Sequence, residues 1–265
     1  MLRLIVARSE REIADAQRVR FRVYCEEERL LPIAIGVDGR ERDARDGAES
    51  TTHLLVYAGT EPVGTVRLCM AKAGAREQPS DFGLDLEACF ALQGFDLPGL
   101  RLAEITRYCV VRHMRGTRVA PALFAALRKA SQGLGVTHWV AAANMETDCA
   151  EDARIAHRLI QSRALLSSAF AAVPRGGAAP ALAKRFAYTP EERGHANRGE
   201  LSNLRLPRTL SLFAHKLGAR YLGPPAYDEH FNVFAAPLAV ELAAIGARVN
   251  QRAAFSVPLP TSSAA

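Results

Sequence analysis

The sequence predicts an α/β fold: one sheet with helices on both of its sides. Arg101–Ala120, RLAEITRYCVVRHMRGTRVA, passes from an apolar run rich in branched and aromatic residues to a basic turn. A helix follows, with Leu123, Phe124 and Leu127 on one face; this is the pattern of a buried strand feeding a helix. Val136–Ala143 (VTHWVAAA) is a second continuous apolar run, of the length of a fully buried strand. Near the start, the short strand Leu2–Ala7 precedes Ser9-x-x-Glu12, a capping box that opens a helix. Strands alternating with helical patterns define layered α/β architectures.

The elements follow in order. Ile13, Ala16, Val19 and Val23 recur at helical spacing after Ser9, and Cys25–Pro32 closes that helix. A polar loop, Gly36–Thr52, leads to a strand pair, His53–Tyr57 and Val63–Cys69, joined around Gly59-Thr60-Glu61-Pro62. Ala71–Asp85 reads as a polar loop and Leu84–Leu92 as a short helix. Val136–Ala143 should diverge from the central strand. Ala150–Val173 reads as one long helix and Ala181–Phe186 as another short one, with Thr189–Asn203 polar. Residues 145–205 then form a helical insertion rather than a domain of their own. Leu206–Leu217 is a helix ended by Gly218, and Ala219–Leu222 and Asn232–Ala236 are the last strands. The expected domain spans 1–255, followed by a frayed tail at 256–265.

Composition narrows the function. The chain has 265 residues, 49% of them apolar, and a net charge of +6 with arginine preferred over lysine. That excess suits an anionic partner. Nucleic acid is not expected, because no zinc-finger, homeodomain or RNP-like signature occurs. Five cysteines without CxxC spacing read as reduced, mostly buried thiols, Cys109 among them. There is no cleavable signal and no apolar run near the roughly 20 residues that span a bilayer. The expectation is a cytoplasmic protein without a transmembrane segment.

Charges in apolar surroundings mark the candidate site, since buried ions are costly unless paired or used. Glu104 and Arg107 interrupt the central strand, and Arg67 is a lone charge in the strand before it. Glu41-x-Asp43-x-x-Asp46 sits in the polar loop. These acids are a solvated turn, or they pin Arg20, Arg67 or Arg107, or they bind a cationic substrate. A calcium loop is not expected, because the twelve-residue pattern with its central glycine is absent, and no metal site is assigned. Arg112, Arg115 and Arg118 precede a helix, an arrangement suited to a phosphate or phosphodiester. Glu104 is the candidate general base, with an ion pair bracing the sheet as its structural alternative. The N–H groups of Tyr108, Cys109 and Val110 are candidates to polarise a carbonyl.

The strand, turn and helix resemble the GNAT superfamily of acyltransferases, whose turn pattern Arg/Gln-x-x-Gly-x-Gly/Ala is met by Arg115, Gly116 and Ala120. Arg118 stands where the first glycine belongs. Four motifs in order, Arg20-x-x-Val23-Tyr24, Glu41-x-Asp43-x-x-Asp46, Val66-Arg67-Leu68 and Glu104-Ile105-Thr106-Arg107-Tyr108, resemble the autoinducer-synthase-like branch. That branch includes long-chain N-acyl amino acid synthases, exosortase-associated acyltransferases and acyl-homoserine-lactone synthases. The resemblance implies a GNAT-like mixed, twisted sheet. It also implies transfer of a fatty acyl group from an acyl carrier protein thioester to a small amine, an amino acid foremost. Arg20, Tyr24, Asp43, Asp46, Arg67 and Arg107 would contact substrate, and Arg112, Arg115, Gly116, Arg118 and Ala120 the carrier or its pantetheine. No tightly bound cofactor is implied; acyl-phosphopantetheine is a co-substrate, with acyl-CoA second to the carrier protein. Transient membrane association through a lipid product is the further expectation. Lactone synthases, the alternative, carry a tryptophan a few residues after the position of Tyr24. Here Leu30 lies nearby and the single tryptophan is Trp139.

Overall fold

The computed structural model describes residues 1–36, 38–72, 81–177 and 179–245. β1 (Leu2–Val6) leads into α1 (Glu10–Phe21). At its start, Ser9 Oγ accepts from the Glu12 N–H while the Glu12 carboxylate accepts from the Ser9 N–H. The chain continues from α1 through a wider π-helical turn, Arg22–Glu27. β2 (Thr51–Ala58), β3 (Glu61–Met70), β4 (Phe90–Gln93), β5 (Leu102–Val110), α2 (Val119–Gly133) and β6 (His138–Asn144) follow. Then come α3 (Ala150–Ser162), β7 (Ala171–Pro174), α4 (Pro190–Asn197), α5 (Arg208–Leu212), β8 (Arg220–Tyr221), β9 (Ala226–Asp228) and β10 (Val233–Glu241).

The main sheet runs β1-β2-β3-β5-β6-β10-β8, with β9 also on β10. Every pairing is antiparallel except β5 with β6, so the sheet is mixed. The parallel pairing is short: only Leu102–Glu104 meets His138–Val140. Beyond Glu104 the two strands splay, as expected of Val136–Ala143, and open a wedge between 105–110 and 141–144. Helices cover both faces. α1 faces Arg67 of β3, and α2 packs Val119 and Leu123 over Gly64, three residues away and therefore on the other face. A Cβ at Gly64 would lie 2.7 Å from Val119 Cγ1, so the helix needs glycine there.

Three expected elements differ. Leu84–Leu92 is a 3₁₀ turn, Asp85–Ala88, followed by β4, because Phe90 and Leu92 alternate into a second apolar cluster with Phe82 and Phe95. Ala150–Val173 is not one helix. Ala164 adopts a left-handed φ of 51° that ends α3, and Ala171–Pro174 pairs with β4. Ala181–Phe186 is not helical, because the Asp148 carboxylate accepts from the N–H groups of Lys184 and Arg185. The helix instead falls in the polar stretch, where Thr189 and Glu192 form a capping box with Pro190 as the first helical residue. Buried Asp152 ties this region down by accepting from the Ala187 N–H, Thr147 Oγ1 and Arg193 Nε. The tail at 256–265 and the end of the domain assigned to 1–255 lie outside the described residues, as do 73–80 of the Ala71–Asp85 loop.

Candidate active site

The site is assembled by an irregularity in β5. Thr106 pairs with Arg67 and Cys109 with Thr65, so two steps on β3 oppose three on β5. This is a β-bulge, and Arg107 takes its left-handed position with φ 54°. In a regular strand Thr106 and Arg107 would point to opposite faces. The bulge turns both toward α1: Thr106 Oγ1 accepts from Arg67 Nε at 2.9 Å, and the Arg107 guanidinium reaches the acidic loop.

There Arg20, Arg67 and Arg107 converge on four carboxylates. Arg20 donates from Nη1 and Nη2 to the two oxygens of Asp46, each at 2.6 Å. Its Nε lies 2.5 Å from Glu41 Oε2, at an angle that makes the contact an ion pair rather than a hydrogen bond. Arg67 Nη1 donates to Asp43 Oδ1 at 2.6 Å and Asp46 Oδ1 at 3.0 Å, and its Nη2 reaches Asp85. Arg107 donates to Asp43 Oδ2 at 2.9 Å and Glu41 Oε1 at 3.3 Å. Gln17, one turn before Arg20 on α1, adds a bond to Asp46 at 3.0 Å. Arg20, Arg67, Glu41 and Asp46 are buried; Asp43 and Asp85 are half-buried and form the solvent-facing edge.

The fields follow from this pairing. Burial works to raise the carboxyls of Asp43 and Asp46, but Arg67 with Arg107, and Arg20 with Arg67, outweigh it and leave both below their ordinary values, Asp46 far below. Glu41 is likewise lowered against burial, by His230, Arg107 and Arg20. Glu104 goes the other way. Burial, reinforced by the charge of Asp85, pushes its carboxyl up to about 8. Glu104 sits where β5 and β6 part, and its oxygens accept from the N–H groups of Asp85 at 2.6 Å and Leu86 at 3.0 Å. It forms no salt bridge with an arginine among the described residues. Asp85 links it to the network, giving its N–H to Glu104 and its carboxylate to Arg67.

The remaining predicted residues surround this centre. Tyr24 packs edge-on against Phe231, with ring centroids 5.0 Å apart. Cys109 is buried, and burial pushes its thiol up to about 12, consistent with a core residue rather than a nucleophile. Tyr108 is exposed on the other face, where its hydroxyl donates to the Ala120 carbonyl at 2.8 Å. Val110 gives its carbonyl to Arg115 Nε at 3.0 Å. In the turn, Arg115 also pairs with Glu27 and Glu28, and the Arg112 N–H donates to Glu27. Gly116 has φ 79° with open space beside it. Arg118 is exposed at the start of α2 and forms no ion pair among the described residues. Trp139 lies in the core, donating to Ser131 Oγ at 2.8 Å and packing on Phe124, away from the arginines.

Four members were not on the predicted list. Glu41 was visible within the acidic motif and Gln17 shares a helix face with Arg20; either signal could have placed them. Asp85 and Phe231 arrive from a 3₁₀ turn and the β9–β10 turn, and no local pattern announces them. Among the described residues, no cluster of three or more metal-ligating side chains is present.

A mixed sheet with a parted central pair and a charged cluster beside the gap defines an N-acyltransferase of GNAT-like fold. A protein-family model for the N-acyl amino acid synthase FeeM matches residues 15–148, and the chain belongs to that family. A search of curated proteins finds no match. The structure of FeeM, an N-acyl amino acid synthase from uncultured soil microbes, superposes with a TM-score of 0.50 at 13% identity, over 93% of this chain and 94% of that one. BjaI, a CoA-dependent acyl-homoserine lactone synthase, is also similar, with a TM-score of 0.47 at 20% identity over 94% of this chain and 89% of that one. The AHL synthase LasI gives 0.46 at 13% identity, over 91% and 90%. These neighbours share the fold; membership of the N-acyl amino acid synthase family makes acyl transfer onto an amine the activity of this chain.

Proposed function

We propose that the enzyme transfers a fatty acyl group from an acyl carrier protein thioester to the amine of an amino acid, in the cytoplasm. The observation that carries the reading is the wedge between β5 and β6, with Glu104 at its apex and the arginine–carboxylate network beside it. Past Glu104, β5 has no strand partner on its β6 side. A thioester lying there receives hydrogen bonds from the N–H groups of Tyr108 and Val110, which stabilise the developing oxyanion. Cys109, expected to share that role, turns its N–H to β3, on the same edge as the Val111 N–H that donates to the Val63 carbonyl. The acceptor's ammonium gives its proton to Glu104, directly or through water. A carboxyl with a pKa near 8 is closer in strength to an ammonium than an ordinary carboxyl is. The freed nitrogen attacks the carbonyl carbon, the C–S bond breaks, and the thiol and the amide leave.

On this reading Arg107 and Asp43, with Arg20, Tyr24, Asp46 and Arg67 behind them, hold the acceptor's carboxylate and ammonium. The carrier protein docks at the turn Arg112–Ala120. Arg118 there is exposed, with Arg128 and Lys129 further along α2, and such charges attract an acidic partner. No helix among the described residues is long and apolar enough to cross a membrane. Any membrane contact is made through the lipid product. The test is incubation with acyl carrier protein bearing a fatty acyl thioester and a pool of amino acids, followed by mass spectrometry. An N-acyl amino acid is the expected product. Failure to form any amide, or a lactone formed only with S-adenosylmethionine, would overturn the reading.

A further inference from the structure

The β9–β10 turn reaches across the sheet. β10 is hydrogen-bonded to β6, and its first residues lie at the open end of the wedge: Phe234 and Met145 are joined there by a backbone bond, as are Phe234 and Thr147. From that position Phe231 passes over β6 to the far side of the wedge. The Arg107 guanidinium carbon stands 4.9 Å from its ring centroid, and its edge-on partner is Tyr24. β5, which carries Arg107, has no hydrogen-bonded pairing with β10 in the sheet; on this face the ring spans the gap between splayed strands. The turn is held in shape, because Asp228 Oδ1 accepts from the N–H groups of His230 and Phe231 and Asn232 takes a left-handed φ of 54°. The half-buried ring stands against the solvent-facing edge of the network, where Asp43 and Arg107 meet.

We infer that Phe231 is a specificity-determining residue for the acceptor: its ring forms the outer wall of the acceptor subsite and limits the size of the amino acid side chain admitted beside Arg107. This rests on the acceptor being an amino acid held at Arg107 and Asp43. The wall comes from the C-terminal β9–β10 hairpin, outside residues 15–148, the stretch that the family model matches. Pockets discriminate by the space they leave as well as by the bonds they offer.

The test is the ratio of kcat/KM for phenylalanine to that for glycine, measured with one acyl thioester donor on the full chain and on Phe231→Ala and Phe231→Leu. A ratio of two acceptors on one preparation is insensitive to the fraction of enzyme that is folded. Phe231→Ala should raise the ratio tenfold or more, and Phe231→Leu, which keeps much of the bulk, should stay near the parent. A parent that acylates amino acids while Phe231→Ala keeps its ratio within twofold would overturn the inference alone. A parent that acylates no amino acid would remove the acceptor reading itself, and the inference with it.

Discussion

Asp46→Asn removes one carboxylate from a site where five hydrogen bonds converge on it, one of them from the Asp43 N–H at 3.3 Å. Arg20 gives it two hydrogen bonds of 2.6 Å, Arg67 one of 3.0 Å and Gln17 one of 3.0 Å, and both arginines are buried. An asparagine has one acceptor oxygen and turns two N–H groups toward these donors. Removing one partner of a buried ion pair costs roughly 3–5 kcal/mol. For a chain of this size the melting temperature should fall by roughly 6–20 °C, at about 2–4 °C per kcal/mol. The loss depends on pH. The folded carboxyl is held below its ordinary value of 3.8, so its contribution is complete above that pH and fades as pH falls through the folded value. Parent and variant should differ fully at pH 7 and by somewhat less at about pH 3, converging only as pH approaches the far lower folded value. Urea unfolding followed by circular dichroism at both pH values measures this. An unchanged melting temperature with a raised KM for the amino acid would make Asp46 a substrate ligand instead. No change in either would make the loop a solvated turn and refute the reasoning.

Four further outcomes are expected. Glu104→Gln should lower kcat by about 10²–10⁴-fold; the parent rate should climb as pH rises through about 8 while the variant profile is flat, and an unchanged acidic limb would exclude Glu104 as base. The same raised pKa makes the parent lose stability as pH rises from 4.5 to about 8, because the folded state binds the extra proton there; denaturant titrations should show that slope weakened in the variant. Arg118→Glu, at an exposed residue, should raise KM for the carrier-linked donor more than for a soluble acyl-pantetheine, by a factor that shrinks as salt screens the surface; equal losses would move the docking surface elsewhere. Asp152→Asn should cost about 1–3 kcal/mol and speed proteolytic cleavage within 182–199, read by mass spectrometry of the fragments, with unchanged cleavage showing that Asp152 does not tether that segment.

Much of this arrangement was legible in the chain. The capping box at Ser9, the strand pair, the apolar β6 and the Gly218 stop all express local preferences that packing did not override. So do the lone charges Arg67, Glu104 and Arg107, since a charge inside an apolar run must find partners. What was not legible is non-local. Ala164 carries no signal that it will turn left-handed and end α3. The helical reading of Ala181–Phe186 fails because a carboxylate on Asp148, distant in sequence, claims its N–H groups. Asp85 and Phe231 enter the site through contacts between segments that only the folded sheet brings together.

The bulge at Arg107 also sets how the gene can change. Upstream of it, β5 alternates in one phase against β3, and downstream in the opposite phase. Deleting residue 107 would remove the bulge and restore a single phase while leaving Cys109 toward Tyr24 and Tyr108 bonded to Ala120 on the far side, at the cost of the guanidinium that meets Asp43 and Glu41. A single insertion or deletion away from the bulge has no extra residue to absorb it and sends the side chains beyond it to the opposite face. Lineages descending from this chain should therefore accumulate substitutions along β5 and β3 far more readily than single-codon changes in length, and a deletion that survives in β5 should fall at the bulge.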